Sequence, residues 1–135
     1  HREWQLRAIA SRIIGEMSLK GAAYRLIPLI KDENWHVRRN AAEALTDLGK
    51  IGINLLLACL DMDDRCARDI SVQILEERGI VEQAVYNLGV DDPKKRNDAL
   101  VLIKTLIRKG YTGYLENYRA RSTLIQELMA GLSHG

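Results

Sequence analysis

The sequence predicts an all-α fold, a right-handed α-α superhelix (α-solenoid) of about four helical hairpins. Apolar residues recur along most of the chain with the spacing of one helix face. A pattern of long helix, turn and second helix repeats about every 31 residues. The 135 residues are 47% hydrophobic, 5% aromatic and without Phe, a composition that favours packed helices over β-sandwich layers. We expect a single domain over residues 1–135, and a helical pattern directly after His1 predicts a fragment of a longer protein.

The repeat is defined by its long helices. Trp4-Gln-Leu-Arg7 recurs as Trp35-His-Val-Arg38 and then as Arg65-Cys-Ala-Arg68. Glycine follows the later long helices at Gly49, Gly79 and Gly110, where a left-handed backbone lets the chain reverse. The repeat predicts long helices near 3–17, 35–48, 64–78 and 94–109, and second helices near 19–31, 50–60, 80–89 and 113–132.

The second repeat shows how the helices are expected to pack. Its long helix has one apolar face, formed by Val37, Ala41, Ala44, Leu45 and Leu48. Its outward face is polar, with His36, Arg39, Asn40, Glu43 and Asp47. The second helix, near 50–60, is apolar on most sides, and stacked neighbouring repeats would cover it.

Polar residues and prolines mark the expected helix boundaries. The predicted helix-capping residues are Asp32, Asn34, Asp63 and Asp92. Pro93 suits the first turn of its helix. Pro28 lies inside the predicted helix 19–31, where it should remove a hydrogen bond and bend the axis.

Composition argues against several classes of function. Twenty basic and eighteen acidic residues leave a net charge of +2, without the concentrated positive field of a dedicated nucleic-acid domain. Cys59 and Cys66 cannot supply the four ligands of a structural zinc site, so we predict no metal, free thiols and a cytoplasmic location. The longest apolar runs are far shorter than the roughly 20 residues that span a bilayer, so this segment is not expected to insert into a membrane.

The sequence predicts neither catalysis nor a cofactor. It contains no Ser-His-Asp order at a suitable spacing, no metal-ligand pair on one helix face and no Gly-rich phosphate loop. His36 and His134 are isolated in the sequence, whereas a catalytic base needs a partner that orients it. We therefore predict that the protein is not an enzyme.

Two groups of aromatic residues have possible binding roles. Trp4 and Trp35 are one repeat apart, and each is expected to pack over its own hairpin junction. Tyr111, Tyr114 and Tyr118 share one helix face. They either seal the last repeat or form an interface, and both interpretations stay open.

Residues 27–49 resemble a HEAT repeat. The resemblance rests on a proline in the first helix, an Asp at its end, Val37-Arg38 at the start of the second helix, an Ala-Ala-x-Ala-Leu core and a closing glycine. The match is weaker over 57–79, and Pro93-Lys-Lys-Arg96 replaces the motif in the last unit. The short period resembles the compact bacterial repeats grouped with phycobilisome lyases.

The resemblance implies a curved stack with the Val-Arg helices on its inner surface and Asp–Arg bonds between adjacent repeats. Asp32, Arg38 and Arg68 would then be structural. A bidentate Arg–carboxylate contact would explain why Arg, rather than Lys, recurs at positions 7, 38 and 68.

Outward positions of the long helices form three rows across this expected inner surface. The rows are Arg12, Glu43, Gln73 and Lys104; Glu16, Asp47, Glu77 and Arg108; and Ala8, Arg39, Asp69 and Leu100. The predicted partner-binding residues are Arg12, Arg39, Glu43, Asp47, Asp69, Gln73, Glu77, Lys104 and Arg108. The sequence therefore predicts a binding scaffold for another protein, and it leaves self-association open.

Two alternative functions follow from other members of the HEAT-like group. HEAT-like DNA glycosylases make nucleic-acid binding one alternative, supported by the basic clusters at 94–96 and 119–121. The acidic centre of the three rows opposes it, because phosphates would be repelled there. A phycobilin-lyase-like function is the other, although no set of residues here specifies a pigment site.

Overall fold

Side chains at the helix starts determine where the long helices begin. The structure is a computed structural model and describes residues 2–17 and 19–133. Asn34 and Asp92 accept hydrogen bonds from backbone N–H groups two and three residues ahead, which confirms both as capping residues. The third long helix is capped by Asp64, whose carboxylate accepts from the N–H of Ala67 at 2.9 Å. The prediction of Asp63 as the cap was therefore wrong by one residue.

The described residues form helices joined by short turns and contain no strand. The helices are α1 (Arg2–Glu16), a 3-10 helix (Lys20–Leu26), α2 (Ile27–Ile30), α3 (Trp35–Asp47), α4 (Lys50–Cys59), α5 (Arg65–Glu77), α6 (Ile80–Asn87), α7 (Pro93–Arg108), a second 3-10 helix (Thr112–Leu115), α8 (Glu116–Arg119) and α9 (Thr123–Ser133). The predicted all-α solenoid class is confirmed.

Two predicted second helices are divided rather than continuous. Pro28 lies in the first turn of α2, after the 3-10 helix Lys20–Leu26, and not inside one helix over 19–31. Because proline has no N–H to donate, it is best accommodated where a helix begins. The predicted helix 113–132 is likewise interrupted after α8, and Ser122 Oγ accepts from the N–H of Ile125 at 3.2 Å to begin α9.

Contacts between Cα atoms divide the chain into two compact units, residues 1–78 and 79–135. In the first unit α1 packs on α3, and α3 packs on α5. The shorter helices α2 and α4 also contact α3, so the hairpins are stacked as the repeat pattern predicts. In the second unit α7 packs on α6 and α9, and α8 contacts α9.

The predicted apolar face of α3 forms part of the core of the first unit. Its five members, Val37, Ala41, Ala44, Leu45 and Leu48, are all buried. Of the predicted outward residues, His36 and Asp47 are exposed, whereas Arg39, Asn40 and Glu43 are half-buried. The helical spacing therefore identified this core face correctly.

Glycines allow close helix packing at two places in the first unit. A Cβ atom on Gly52 in α4 would lie 1.6 Å from the carbonyl oxygen of Leu45 in α3. A Cβ atom on Gly15 in α1 would lie 2.9 Å from Cα of Ala44. Both pairs of helices therefore approach at backbone distance. At the predicted turn after α3, Gly49 has a φ of 76°, as expected where only glycine is unstrained.

Both thiols are free, with Cys59 buried and Cys66 exposed. Burial raises the pKa of Cys59 to about 11, although a hydrogen bond with Ser71 acts in the opposite direction. Over the described residues, none of the helices has the length and apolar character required to cross a membrane.

Candidate functional site

Polar side chains of α3 and α5 form one connected network in the first unit. We call this network the α3–α5 ladder, and its members are Arg39, Glu43, Asp47, Gln73, Glu77 and Arg78. The first five belong to the predicted partner-binding set. Arg78 was missed because it is equivalent in the repeat to the apolar residues Met17 and Leu48. The sequence signal that could have identified Arg78 was its position beside Glu77, at the end of a long helix.

Arg39 connects the two helices at one end of the ladder. Its guanidinium donates to Glu77 Oε2 at 2.7 Å, and its Nε lies 3.1 Å from Glu43 Oε1. Glu77 also accepts a hydrogen bond from Gln73 at 3.2 Å. The guanidinium carbon of Arg39 lies 5.7 Å from the centre of the Trp35 ring, within cation–π distance. Three neighbouring side chains therefore restrict Arg39, because Gln73 binds Glu77 and not the guanidinium itself.

Arg78 connects the helices at the other end. It donates to Asp47 Oδ1 at 2.8 Å and to Glu43 Oε2 at 3.2 Å. Glu43 therefore lies between two guanidiniums, one from α3 and one from the end of α5. The separations in sequence are 38 residues for Arg39–Glu77 and 31 for Arg78–Asp47, so these contacts join successive repeats.

The ladder is charged and accessible at its surface. The exposed fractions are 29% for Arg39, 44% for Glu77 and 38% for Arg78. Hydrogen bonds from Arg39 and then Gln73 lower the pKa of Glu77, and the bond with Glu77 raises the pKa of Arg39. Burial acts to lower the pKa of Arg78, but its bonds to Asp47 and Glu43 outweigh burial and the pKa is raised. These shifts favour the charged forms.

The other predicted contact residues lie outside the ladder. On α1, Arg12 Nε lies 3.7 Å from Glu16 Oε1. On α5, Arg65 Nε lies 3.7 Å from Asp69 Oδ2. All four side chains are more than half exposed. The remaining two, Lys104 and Arg108, are on α7 in the second unit and are half-buried and exposed, respectively. The role proposed for these four candidates stays a prediction.

The expected bidentate contact with Asp32 is made by Arg7. Arg7 Nε donates to Asp32 Oδ2 at 2.6 Å, and Arg7 Nη2 donates to Asp32 Oδ1 at 3.0 Å. Asp32 also accepts from the N–H of Asn34 at 2.8 Å. Hydrogen bonds from Arg7 lower the pKa of Asp32 although its burial acts to raise it. This carboxylate therefore joins α1 to the turn before α3.

Arg38 and Arg68 have backbone acceptors rather than the expected carboxylates. Each donates from Nη1 to the carbonyl oxygen six residues earlier, and Arg96 does the same. The acceptors are Asp32 at 2.9 Å, Met62 at 2.6 Å and Val90 at 2.7 Å. An arginine in the first turn of its helix lies beside the preceding loop, and backbone carbonyl oxygens of that loop accept its hydrogen bonds. The carboxylate interpretation of Arg38 and Arg68 was therefore wrong.

Arg96 makes the equivalent contact within the second unit, where the HEAT motif weakens. Its role was missed because the sequence around it does not contain Val-Arg. A capping residue precedes each of the three arginines by four positions, at Asn34, Asp64 and Asp92. The spacing from capping residue to Arg was the signal that could have identified Arg96.

Aromatic rings meet at the start of α3. Trp4 stacks on His36 with ring centres 5.3 Å apart, and Trp35 meets His36 edge-on at 5.0 Å. The two tryptophans thus contact one shared ring, whereas each was expected to cover its own junction. His134 lies outside the described residues.

Removing the carboxylate of Asp32 tests its contact with Arg7. The pKa of Asp32 is lowered on folding. Its carboxylate therefore stabilises the folded protein at pH values above the ordinary pKa of Asp, and this stabilisation is lost as the pH falls through the pKa of Asp32 in the folded protein. We expect Asp32→Asn to lower the unfolding midpoint by about 5 °C at pH 7, and the difference from wild type to shrink below about pH 4. Thermal melts followed by circular dichroism at pH 7, 4 and 2.5 measure this.

The control for Asp32 is Asp63→Asn. Asp63 is an exposed acidic residue of the next inter-helix loop and does not cap α5. We expect the unfolding midpoint of the Asp63→Asn protein to match that of the wild type at each pH. An Asp32→Asn difference that is as large at pH 2.5 as at pH 7 contradicts the assignment.

A comparison with known protein families supports the repeat organisation described above. The sequence profile of HEAT repeats matches residues 1–76, more than half of the chain. No curated protein matches the chain. The matched segment contains α1 to α4, almost all of α5 and four of the six ladder residues. The chain therefore belongs to the HEAT repeat family.

Proposed function

We propose that the protein is a non-catalytic scaffold that binds another protein through the α3–α5 ladder. HEAT repeats generally serve as protein-interaction scaffolds and are typically non-catalytic. The observation that carries the proposal is the ladder itself, a partly exposed group of charged side chains held by contacts between successive repeats. A cytoplasmic location is part of the proposal and is supported by the two free thiols.

The ladder is suited to binding because its side chains are already ordered. Immobilising a long charged side chain on binding costs on the order of 1 kcal/mol. Arg39 and Arg78 each have two carboxylate partners, so much of their rotamer freedom is lost on folding. A partner therefore meets a fixed pattern of charges, and less entropy is lost when it binds.

The charge pattern favours a basic or mixed-charge protein segment. Two guanidiniums and three carboxylates give the ladder an excess of one negative charge. Each carboxylate has further oxygen lone pairs that accept hydrogen bonds from an incoming Lys or Arg. A nucleic-acid backbone would place phosphates against the same carboxylates, which opposes binding.

Charge reversal on the ladder tests the proposal. The full chain is immobilised as wild type and as Glu43→Arg plus Glu77→Arg, and captured proteins are cross-linked and identified by mass spectrometry. We expect partners of the wild type to bind the ladder variant at least about tenfold more weakly, because reversed charges oppose complementary ones at an interface. Circular dichroism verifies that the variant is folded.

The matched control reverses two carboxylates outside the ladder, as Asp63→Arg plus Glu127→Arg. Both are exposed, and the change in net charge is the same. Partners retained by this control and lost by the ladder variant support the proposal. Equal recovery by all three proteins contradicts it, as does micromolar, salt-sensitive binding of the wild type to a short DNA duplex.

A further inference from the structure

The outer face of α1 carries four large apolar side chains that are open to solvent. We call Leu6, Ile9, Ile13 and Met17 the α1 stripe, and their exposed fractions are 66%, 43%, 43% and 65%. Their spacing of three, four and four residues places them along one side of the helix. A contiguous apolar face of this kind on a charged, otherwise well-packed unit indicates an interaction surface.

The repeat shows what this face does in the other long helices of the first unit. The positions equivalent to Leu6 and Ile13 are Val37 and Ala44 in α3, and Ala67 and Ile74 in α5. These four residues are buried, with exposed fractions of at most 2%. At the positions of Leu6 and Ile13, α1 is therefore open where α3 and α5 are covered.

The helix that covers this face of α3 is α1, and it does so with small residues. Ser11 and Gly15 are buried on the side of α1 opposite the stripe. A Cβ atom on Gly15 would lie 2.9 Å from Cα of Ala44, the equivalent of Ile13. Ser11 donates to the carbonyl oxygen of Arg7 at 3.0 Å, so its hydroxyl is satisfied within α1. Small side chains four residues apart thus permit the close approach.

The α3–α5 ladder indicates which charge a helix covering the α1 stripe should carry. In the ladder, Arg39 of the preceding long helix donates to Glu77, and the equivalent of Glu77 in α1 is Glu16. Glu16 is 64% exposed and lies 3.7 Å from Arg12. Arg39 itself stands three residues before Ala42, the equivalent of Ser11. A helix stacked in the same way would therefore present a basic side chain to Glu16.

We propose that the α1 stripe is a docking surface for a partner helix of the long-helix type. The partner carries two small residues four positions apart, against the stripe, and a basic residue three positions before the first of them, against Glu16. This surface is separate from the α3–α5 ladder, and the proposal does not rest on the proposed function. It continues the helix stacking already present between α1, α3 and α5.

A second copy of this chain fits the stripe poorly. The small-residue side of α1 is buried, so another copy cannot present it. Two stripes facing each other would bring together single faces of 15-residue helices, about 22 Å long. A strip of that length and about 10 Å wide covers roughly 200–250 Å², which is below the roughly 800 Å² per partner of a standard stable interface.

A fusion supplies a probe helix of the proposed chemistry. A copy of residues 33–61, which contains α3 with Arg39, Ala42 and Thr46, is placed directly before the full chain so that the repeat spacing is kept. We expect one unfolding transition, with a midpoint at least about 5 °C above that of the chain alone. Amide hydrogen exchange in α1 should slow, because the stripe is then covered.

Substitutions on the stripe separate docking from other effects of the fusion. Leu6→Gln plus Ile13→Gln should change the midpoint of the chain alone only slightly, because both residues are exposed, and should remove the gain in the fusion. Ile51→Gln in α4 of the full chain, the same kind of change at a residue that is 50% exposed and outside the stripe, should keep it. The proposal is overturned if the added hairpin unfolds separately, or if the gain survives the double substitution. A dimer of the unfused chain in sedimentation equilibrium that dissociates on the double substitution also overturns it, since a second copy would then occupy the stripe.

Discussion

We expect Gly52→Ala to be the most destabilising conservative substitution in the first unit, with a loss of more than about 3 kcal/mol in the free energy of unfolding. The added Cβ would lie 1.6 Å from the carbonyl oxygen of Leu45 and 2.5 Å from its carbonyl carbon. These are backbone atoms inside α3, so no side-chain rotation relieves the clash. The helices α3 and α4 must separate, which disrupts the packing of buried residues such as Leu56. Urea denaturation followed by circular dichroism measures the loss.

The matched control is Gly131→Ala. Gly131 lies in α9 and is exposed, and a Cβ added there would meet no described atom within 4 Å apart from its chain neighbours and the nearby backbone of α9. The same chemical change should there stabilise the helix by about 0.5–1 kcal/mol, because alanine loses less backbone entropy than glycine. A Gly52→Ala protein with near wild-type stability would show that α3 and α4 are not in backbone contact.

We expect Ile74→Ala to lower the free energy of unfolding by about 2–5 kcal/mol. Ile74 is fully buried in α5, on the face equivalent to the α1 stripe. The loss combines the transfer free energy of the removed carbons with the cost of a cavity that the stacked helices cannot close. Ile74→Val, which removes one carbon, should cost about 1 kcal/mol.

The control for Ile74 is Ile51→Ala in α4. Ile51 is 50% exposed, so the same substitution should change the stability by no more than about 0.5 kcal/mol. Chemical denaturation of the three variants gives the comparison. Equal losses at positions 51 and 74 would contradict the assignment of α5 to the buried layer.

The long helices were predictable because their signals are local. A helix face repeats every three or four residues, and a capping side chain acts within its own first turn. These short-range rules identified the buried face of α3 and the caps Asn34 and Asp92. They were less successful in the second helices, where the continuous helices expected over 19–31 and 113–132 are divided. An apolar segment does not show from its periodicity where its helix is interrupted.

The candidate site was predictable as a set of positions but not as a set of contacts. Repeat equivalence brought five ladder residues into adjacent rows. It assigned them to contact with a partner by position alone and did not predict that Arg39 and Glu77 bind each other across the repeat. Arg78 was missed because its equivalents in α1 and α3 are apolar.

By itself the sequence determined that the described chain is helical, that its hairpins recur about every 31 residues, and which face of the second long helix is apolar. Only the tertiary structure decided which charges pair, that Asp32 binds Arg7, and that the apolar face of α1 is uncovered in the described residues. Periodicity and capping act over one or two helical turns. Ion pairs between residues 25–38 positions apart depend on helix spacing, which close contacts such as Gly15–Ala44 set in three dimensions.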